Sequence, residues 1–145
     1  AFLLEQLKKL KSVISKRIKN FNTLNNFFKK SPNYFRTPIK NKATRSGWLA
    51  YPILLKKNCG LSRTKLQIFL EKNGIQTRPI FSGNILRQPI MKKRIYKKSK
   101  FSNINSDDVM ENGLLIGCHH GLKKKEIDHM LKTISRFLKE SMQQS

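Results

Sequence analysis

The sequence predicts a small α/β domain: a long helix, then a small sheet covered by helices on one face. Three observations predict it. Leu3, Leu7, Leu10, Ile14, Ile18, Phe21, Leu24 and Phe28 recur at steps of three and four, which places them on one stripe of a single long helix. Apolar runs of strand length occur at 47–56, 75–78 and 113–121. The segment 123–142 then returns to the helical period. At 145 residues the chain has the length of one domain and can remove roughly two thirds of its unfolded surface from water.

The first helix should end near residue 30, because each proline of "SPNYFRTP" disfavours helical geometry in the residue before it. Its stripe needs a body to lie against. "GWLAYPILLK" reads as a mostly buried strand, and Pro52 calls for an edge or a bulge. Ser62 is placed to cap a helix over 63–72 with Leu66, Phe69 and Leu70 inward, and Gly74 supplies a left-handed stop. A second strand follows at Ile75 to Arg78, and the Lys-rich, weakly periodic stretch 90–105 reads as an exposed loop. Ser106 is read as the cap of a short helix with Asp107 and Asp108 near its positive end. "GLLIGCHHG" is a third strand, and the last helix should turn Ile127, Met130, Leu131, Ile134 and Leu138 inward.

Lys and Arg number 31 against 8 acids, a net charge of +23. Net charge governs solubility and steering rather than fold, so it raises nucleic acid, anionic membranes and phosphorylated substrates as partners. The excess is mostly Lys in the company of Asn, Ile and Phe, which an AT-rich coding sequence yields without any dedicated polyanion site, so that bland reading stands beside the polyanion-partner one. The densest clusters, Lys92, Lys93, Arg94 and Lys97, Lys98, Lys100, read as a solvated loop. Cys59 and Cys118 are far apart and lack ligands at metal spacing, so they read as reduced cytosolic thiols, with neither disulfide nor zinc site. There is no apolar run long enough to span a membrane, and "AFLL" is too short for a signal peptide. A chain that begins inside a periodic pattern is expected to be the tail of something longer.

The stretch that carries chemistry is "GIQTRPIFSGNILRQP", 74–89. Pro79 pushes Arg78 into extended geometry, so its side chain should emerge where the second strand ends. Gly83 permits a tight turn and close approach, and Asn84 tolerates that turn while offering a donor and an acceptor. Arg87 presents paired N–H donors that match phosphate or carboxylate oxygens, with the Gln88 amide beside it. On residue types alone two readings stand: an arginine buried to hold loop carbonyls, or a loop that reads an oxygen-rich anion.

"GIQTRPIFSGNILRQP" closely resembles a motif near the C-terminus of the DegT/DnrJ/EryC1/StrS family of pyridoxal-phosphate sugar enzymes, in particular the T-R-P-x-F-x-G-N-x-x-R-Q-P pattern of its nucleotide-sugar 3-dehydrase branch. The flanks agree in order. "EQLKKLKSVISKRIKNFNTL" resembles the family's helix leading out of the large domain, Q-L-x-K-L-D followed by R-x-x-N-F, with Lys11 in place of the customary Asp. "GWLAYPILLK" resembles its Trp-containing strand, and "ENGLLIGCHHGLKKKEIDHMLKTI" its closing G-x-x-x-G-x-H-x-G-L segment and last helix. The resemblance covers nearly the whole chain and only the final third or so of a typical member.

The resemblance implies the small C-terminal domain of a fold-type-I transferase. Residues 1–30 would be the helix connecting to a large domain that is absent from this sequence, and 31–145 the small domain. Pyridoxal phosphate or pyridoxamine phosphate would be held mainly by the large domain, with the active site formed against a second subunit of a cytoplasmic homodimer. Arg78, Phe81, Asn84, Arg87, Trp48 and His120 would line the side of the cleft that meets a nucleotide-linked 4-keto-6-deoxy sugar or the cofactor. Family aminotransferases hold the cofactor through a Lys imine that lets the amino group be handed over. The dehydrases keep a His there, which forms no imine and leaves the aminated cofactor free to eliminate the sugar's C3 hydroxyl. That position lies upstream of Ala1, so no catalytic residue is expected in this chain, and no turnover from it alone.

Other features read more plainly. His119 and His120 are adjacent on a strand, point to opposite faces and cannot easily grip one metal ion. His129 reads as a surface or half-buried side chain, and Asp107 with Asp108 as helix N-terminal charge rather than a catalytic pair. Two lone cysteines give no ligand set for an iron-sulfur cluster. A free-standing nucleic-acid-binding domain would gather its cations on one face with aromatics available for stacking, yet Trp48, Tyr51 and Phe81 lie in apolar contexts without such a motif. A membrane-surface role for the first helix is the third alternative. The expectation is therefore a deoxysugar-biosynthesis enzyme, dehydrase or aminotransferase, without nucleic-acid or membrane partners.

Overall fold

The computed structural model describes residues 2–39, 41, 43, 46–97 and 103–143. A long helix α1 (Phe2–Phe28) leads into strands β1 (Phe35–Arg36) and β2 (Ala50–Leu55). Helix α2 (Arg63–Lys72), strand β3 (Thr77–Arg78), helix α3 (Ile104–Asn112), strand β4 (Gly113–Gly117) and helix α4 (Lys124–Met142) follow. Two short 3-10 turns, Ile85–Arg87 and Pro89–Lys93, lie between β3 and α3. The four strands form one antiparallel sheet in the order β1-β2-β4-β3.

The register explains the two faces of the sheet. Tyr51 lies opposite Ile116, Ile53 opposite Leu114, and Leu55 opposite Phe35. With Thr77, also opposite Ile116, these residues are buried, while Ala50, Pro52, Leu54 and Leu115 between them are half-buried. Strand side chains alternate, so the first set faces one side of the sheet together. The buried residues of α1, α2 and α4 complete this core: Phe21, Leu24 and Phe28, then Leu66 and Leu70, then Ile127, Met130, Ile134, Phe137 and Leu138. An aromatic ladder fastens α1 to the sheet. Trp48 stacks on Phe21 at 3.9 Å between ring centroids, Phe21 meets Tyr51 at 5.0 Å, and Tyr51 stacks on Phe28 at 5.1 Å. The buried Tyr51 hydroxyl donates to Asn25 Oδ1 at 3.1 Å, and burial raises its pKa.

The caps follow the sequence in part. Ser62 accepts from the Lys65 N–H and Gly74 is left-handed at φ +73°, as read for α2. Ser106 does not cap α3. The cap lies three residues earlier, at Asn103, with no side-chain bond there, and Asp107 and Asp108 pair with Arg87 and Arg36. On α4, Glu126 reaches back to the Lys123 N–H at 2.8 Å.

Several expectations are revised. Pro52 sits in a strand with a neighbour on each side, but β1 pairs only with Leu54 and Leu55, so β4 alone flanks the Pro52 stretch. A residue without an N–H is tolerated there. The second strand is shorter than 75–78 and the third ends at Gly117. The expected loop at 90–105 is partly a 3-10 turn and partly the start of α3, while Lys98 and Lys100 lie outside the described residues. The sheet is not bare on its second face, since Arg36 of β1 pairs with the buried Asp108 of α3. The stripe on α1 is buried only in its second half: Leu3, Leu4 and Leu7 are more than half exposed and Leu10 is 48% exposed.

Candidate functional site

The 74–89 stretch folds as a braced loop at the edge of the sheet. Arg78 ends β3 opposite Leu115, on the face away from the helical core, and its Nη1 donates to the Thr77 carbonyl at 2.9 Å. Ile80 and Gly83 then seat the loop on the corner where α3 becomes β4. A Cβ at Gly83 would stand 2.5 Å from Met110 Cβ, and one at Gly113 2.7 Å from Ile80 Cδ1, so two glycines let the segments touch. Gly83 is also left-handed at φ +60°. The Gln88 amide donates to the Ser82 carbonyl at 2.7 Å and closes the loop on itself.

At its tip Phe81 has φ +48°, a left-handed conformation that costs a bulky residue on the order of 1 kcal/mol or more. The ring is 89% exposed, so the strain is not repaid by burial in this chain. Ile85 and Ile90 beside it are exposed as well. Strain, an unburied aromatic and two arginines coincide here.

Behind the tip lies a polar triangle. Asn84 is buried; its Oδ1 accepts from the Leu86 N–H at 3.0 Å and its Nδ2 donates to Asp107 Oδ1 at 2.7 Å. Arg87 grips the same carboxylate with two bonds, Nε to Oδ1 at 3.0 Å and Nη2 to Oδ2 at 2.9 Å. The hydrogen bonds from Arg87 first, then Asn84, hold the Asp107 carboxyl at about 2, below its ordinary 3.8, so it stays ionised at any pH above the usual carboxylate range. Arg87 is not buried over loop carbonyls; its side chain is 63% exposed and its partner is a carboxylate. Asp107, read from sequence as helix N-terminal charge, is that and also the clamp. Nothing in the sequence joins it to Arg87 except the habit of acids to sit in a helix's first turn.

The structure divides the six sequence-derived site residues. Arg78, Phe81, Asn84 and Arg87 share the loop near the Gly113 end of β4. Trp48 and His120 lie at the Gly117 end, since Ala50 pairs with Gly117. Four steps along the strand separate the ends by about 13 Å. Trp48 spends its ring on Phe21, and its carbonyl accepts from the Cys118 thiol at 3.6 Å. Burial pushes that thiol up to about 11. His120 is exposed at the edge of a groove shared with Lys16, Lys19, Lys123 and Lys124. Counted from Gly113 through G-x-x-x-G-x-H-x-G-L, the motif histidine is His119 rather than His120. His119 accepts the Gly121 N–H at 3.2 Å and lines a different cavity, of about 460 Å³, with His129 and Glu126. The rings of His119 and His120 stand 81° apart. Among the described residues no group of three metal-ligating side chains converges, and no helix is long and apolar enough to cross a membrane.

A small antiparallel sheet packed against α2, α4 and the end of a long leading helix is the small C-terminal domain of a fold-type-I pyridoxal-phosphate-dependent transferase. Solved structures of that class superimpose on it. The Escherichia coli GDP-4-keto-6-deoxy-D-mannose-3-dehydratase with bound hydrated PLP matches with a TM-score of 0.78 and 32% identity, over 90% of this chain and 33% of that one. The chain belongs to the DegT/DnrJ/EryC1/StrS aminotransferase family, whose model matches residues 1–135. Among characterised relatives, the lipopolysaccharide biosynthesis protein RfbH of Salmonella typhimurium is 28% identical over 92% of this chain and 30% of its own length. The GDP-4-keto-6-deoxy-D-mannose 3-dehydratase of Escherichia coli is 30% identical over 90% of this chain and 33% of its own length. The chain thus spans about a third of the relatives it matches.

Proposed function

We propose that this chain serves as the substrate-facing C-terminal part of a pyridoxal- or pyridoxamine-phosphate-dependent enzyme of deoxysugar biosynthesis. The reaction is removal of the C3 hydroxyl from a nucleotide-linked 4-keto-6-deoxyhexose. The observation that carries the reading is the 77–89 loop: a full dehydrase-type motif, folded rigidly, with Arg78 and Arg87 at the surface beside a strained, uncovered Phe81. Relatives named as 3-dehydratases support the chemistry. Aminotransfer is the second reading, favoured by structural neighbours of that kind with the same fold.

Within the loop, Arg78 and Arg87 bind anionic oxygens, Phe81 packs on the ligand or on the opposing wall, and Asn84 holds the loop's shape. Every described lysine is exposed, and none lies in the enclosed apolar setting that makes an amine an imine-forming nucleophile. The described residues therefore do not fit the role of cofactor anchor, which we assign to the remainder of the complete protein. When bound there, the cofactor supplies the electron sink for elimination. A cytoplasmic homodimer accounts for Phe81, Ile85 and Ile90, which are exposed by half or more among the described residues.

The test is turnover by the complete protein with GDP-, CDP- and dTDP-4-keto-6-deoxyhexoses, an amino donor and the cofactor, followed by mass spectrometry. Loss of the C3 oxygen supports the dehydrase. Gain of nitrogen without that loss selects the aminotransferase, and no turnover with any of them overturns both.

A further inference from the structure

The Arg87 guanidinium has five N–H donors in a planar fork, and one edge is already filled. Nε and Nη2 are engaged by the two oxygens of Asp107, while the Nη1 pair and one Nη2 hydrogen remain open among the described residues. We propose that Asp107 is a positioning residue for substrate binding: it fixes the Arg87 plane so that the open edge meets an anionic oxygen, such as a diphosphate oxygen of a nucleotide-sugar. This rests on the reading that the 78–88 loop faces the substrate.

The clamp is more elaborate than folding requires. An ion pair whose arginine is 63% exposed adds little to stability. Even so, Asn84, only 4% exposed, donates from Nδ2 to the same carboxylate while its oxygen caps the turn that carries Arg87. The carboxylate's own base is rigid: the next residue of α3, Asp108, pairs with Arg36 and accepts from Asn112 at 2.7 Å. Arg87, Asn84 and α3 therefore form one body anchored to the sheet, and an arginine is held at a set angle instead of sweeping solvent. Preorganised donors lose less freedom on binding. The charges of Arg87 and Asp107 offset each other, so Arg78 supplies net attraction and Arg87 supplies direction. Arg78 has no carboxylate within ion-pair distance among the described residues.

The experiment uses the complete protein and isothermal calorimetry with GDP, CDP and dTDP, continuing with whichever binds most tightly. Asp107→Asn should weaken it about tenfold while the melting temperature moves by no more than about 2 °C. In an Arg87→Ala background the same change should add nothing, because Asp107 acts through Arg87. If Arg87→Ala weakens binding and Asp107→Asn does not, or if Asp107→Asn weakens it equally without Arg87, the positioning role is overturned and the loop reading survives. If Arg87→Ala leaves affinity unchanged, or no diphosphate binds the unaltered protein, the loop reading falls and this inference with it. Should Asp107→Asn not fold, Arg87→Lys replaces it: a lysine keeps the charge but cannot form the fork, so unchanged affinity would overturn the proposal.

Discussion

The two ends of β4 use the same residue types to opposite purposes. At the Gly117 end, Trp48 is stacked on Phe21, and Asn20 ties α1 to the following loop through the His119 carbonyl at 2.9 Å. Aromatic surface is covered there and backbone polar groups are paired. At the Gly113 end, Phe81 is left-handed and bare, Arg87 faces solvent, and the polar triangle behind them holds the loop still. The difference shows that an aromatic or arginine in an apolar stretch acquires meaning from strain and exposure rather than from type. A left-handed bulky residue persists only when the structure around it over-determines its backbone, and such residues cluster at ligand clamps and active sites.

The largest expected effect that would break this contrast is on the covered side. Phe21→Ala removes a fully buried ring from the aromatic ladder and should cost about 3–5 kcal/mol in denaturant unfolding. A loss below about 1 kcal/mol would mean that α1 is not part of the core, and the two ends would then differ less than the packing indicates. Next comes Gly83→Ala, which adds a Cβ against Met110 in a left-handed turn and should cost about 1–3 kcal/mol while displacing the loop. Stability unchanged and nucleotide affinity intact would show that the loop is not seated on α3. The smallest effect is the sharpest. Phe81→Gly relieves the left-handed strain and forfeits almost no burial, so the protein should be as stable or up to about 1 kcal/mol more so, yet bind nucleotide-sugar more weakly in the complete enzyme. A variant both less stable and equally tight would make Phe81 a packing residue like Trp48.

Much of the fold was readable because it rests on local rules. The α2 cap at Ser62, its stop at Gly74 and the inward stripe of α4 follow from spacing that any chain obeys. Phe137 and Thr133 escaped the stripe, although both are buried, because α4 presents a wider face to the sheet than its most regular apolar positions suggest. The start of α3 lies before Ser106, and its acids pair with Arg87 and Arg36 across 20 and 72 residues, contacts that no local signal shows. For the site, four residues of one loop were legible as a contiguous motif, while Asp107 was not, since the Lys-rich stretch between it and Arg87 gives no hint that the two meet.

By itself the sequence determined most of the elements, the family and the contiguous motif of the 74–89 loop, since periodicity, capping and motif are properties of neighbours along the chain. Only the tertiary structure decided that β2 is interior yet leaves Pro52 a partner on the β4 side alone, and that α1 is buried for half its length. It also decided that Trp48 and His120 stand apart from the arginine loop, and that Asp107 holds Arg87. Those outcomes depend on which strands pair and which helix ends face each other. Such contacts are stabilised by burial and charge between residues far apart in the chain, and no local rule encodes them.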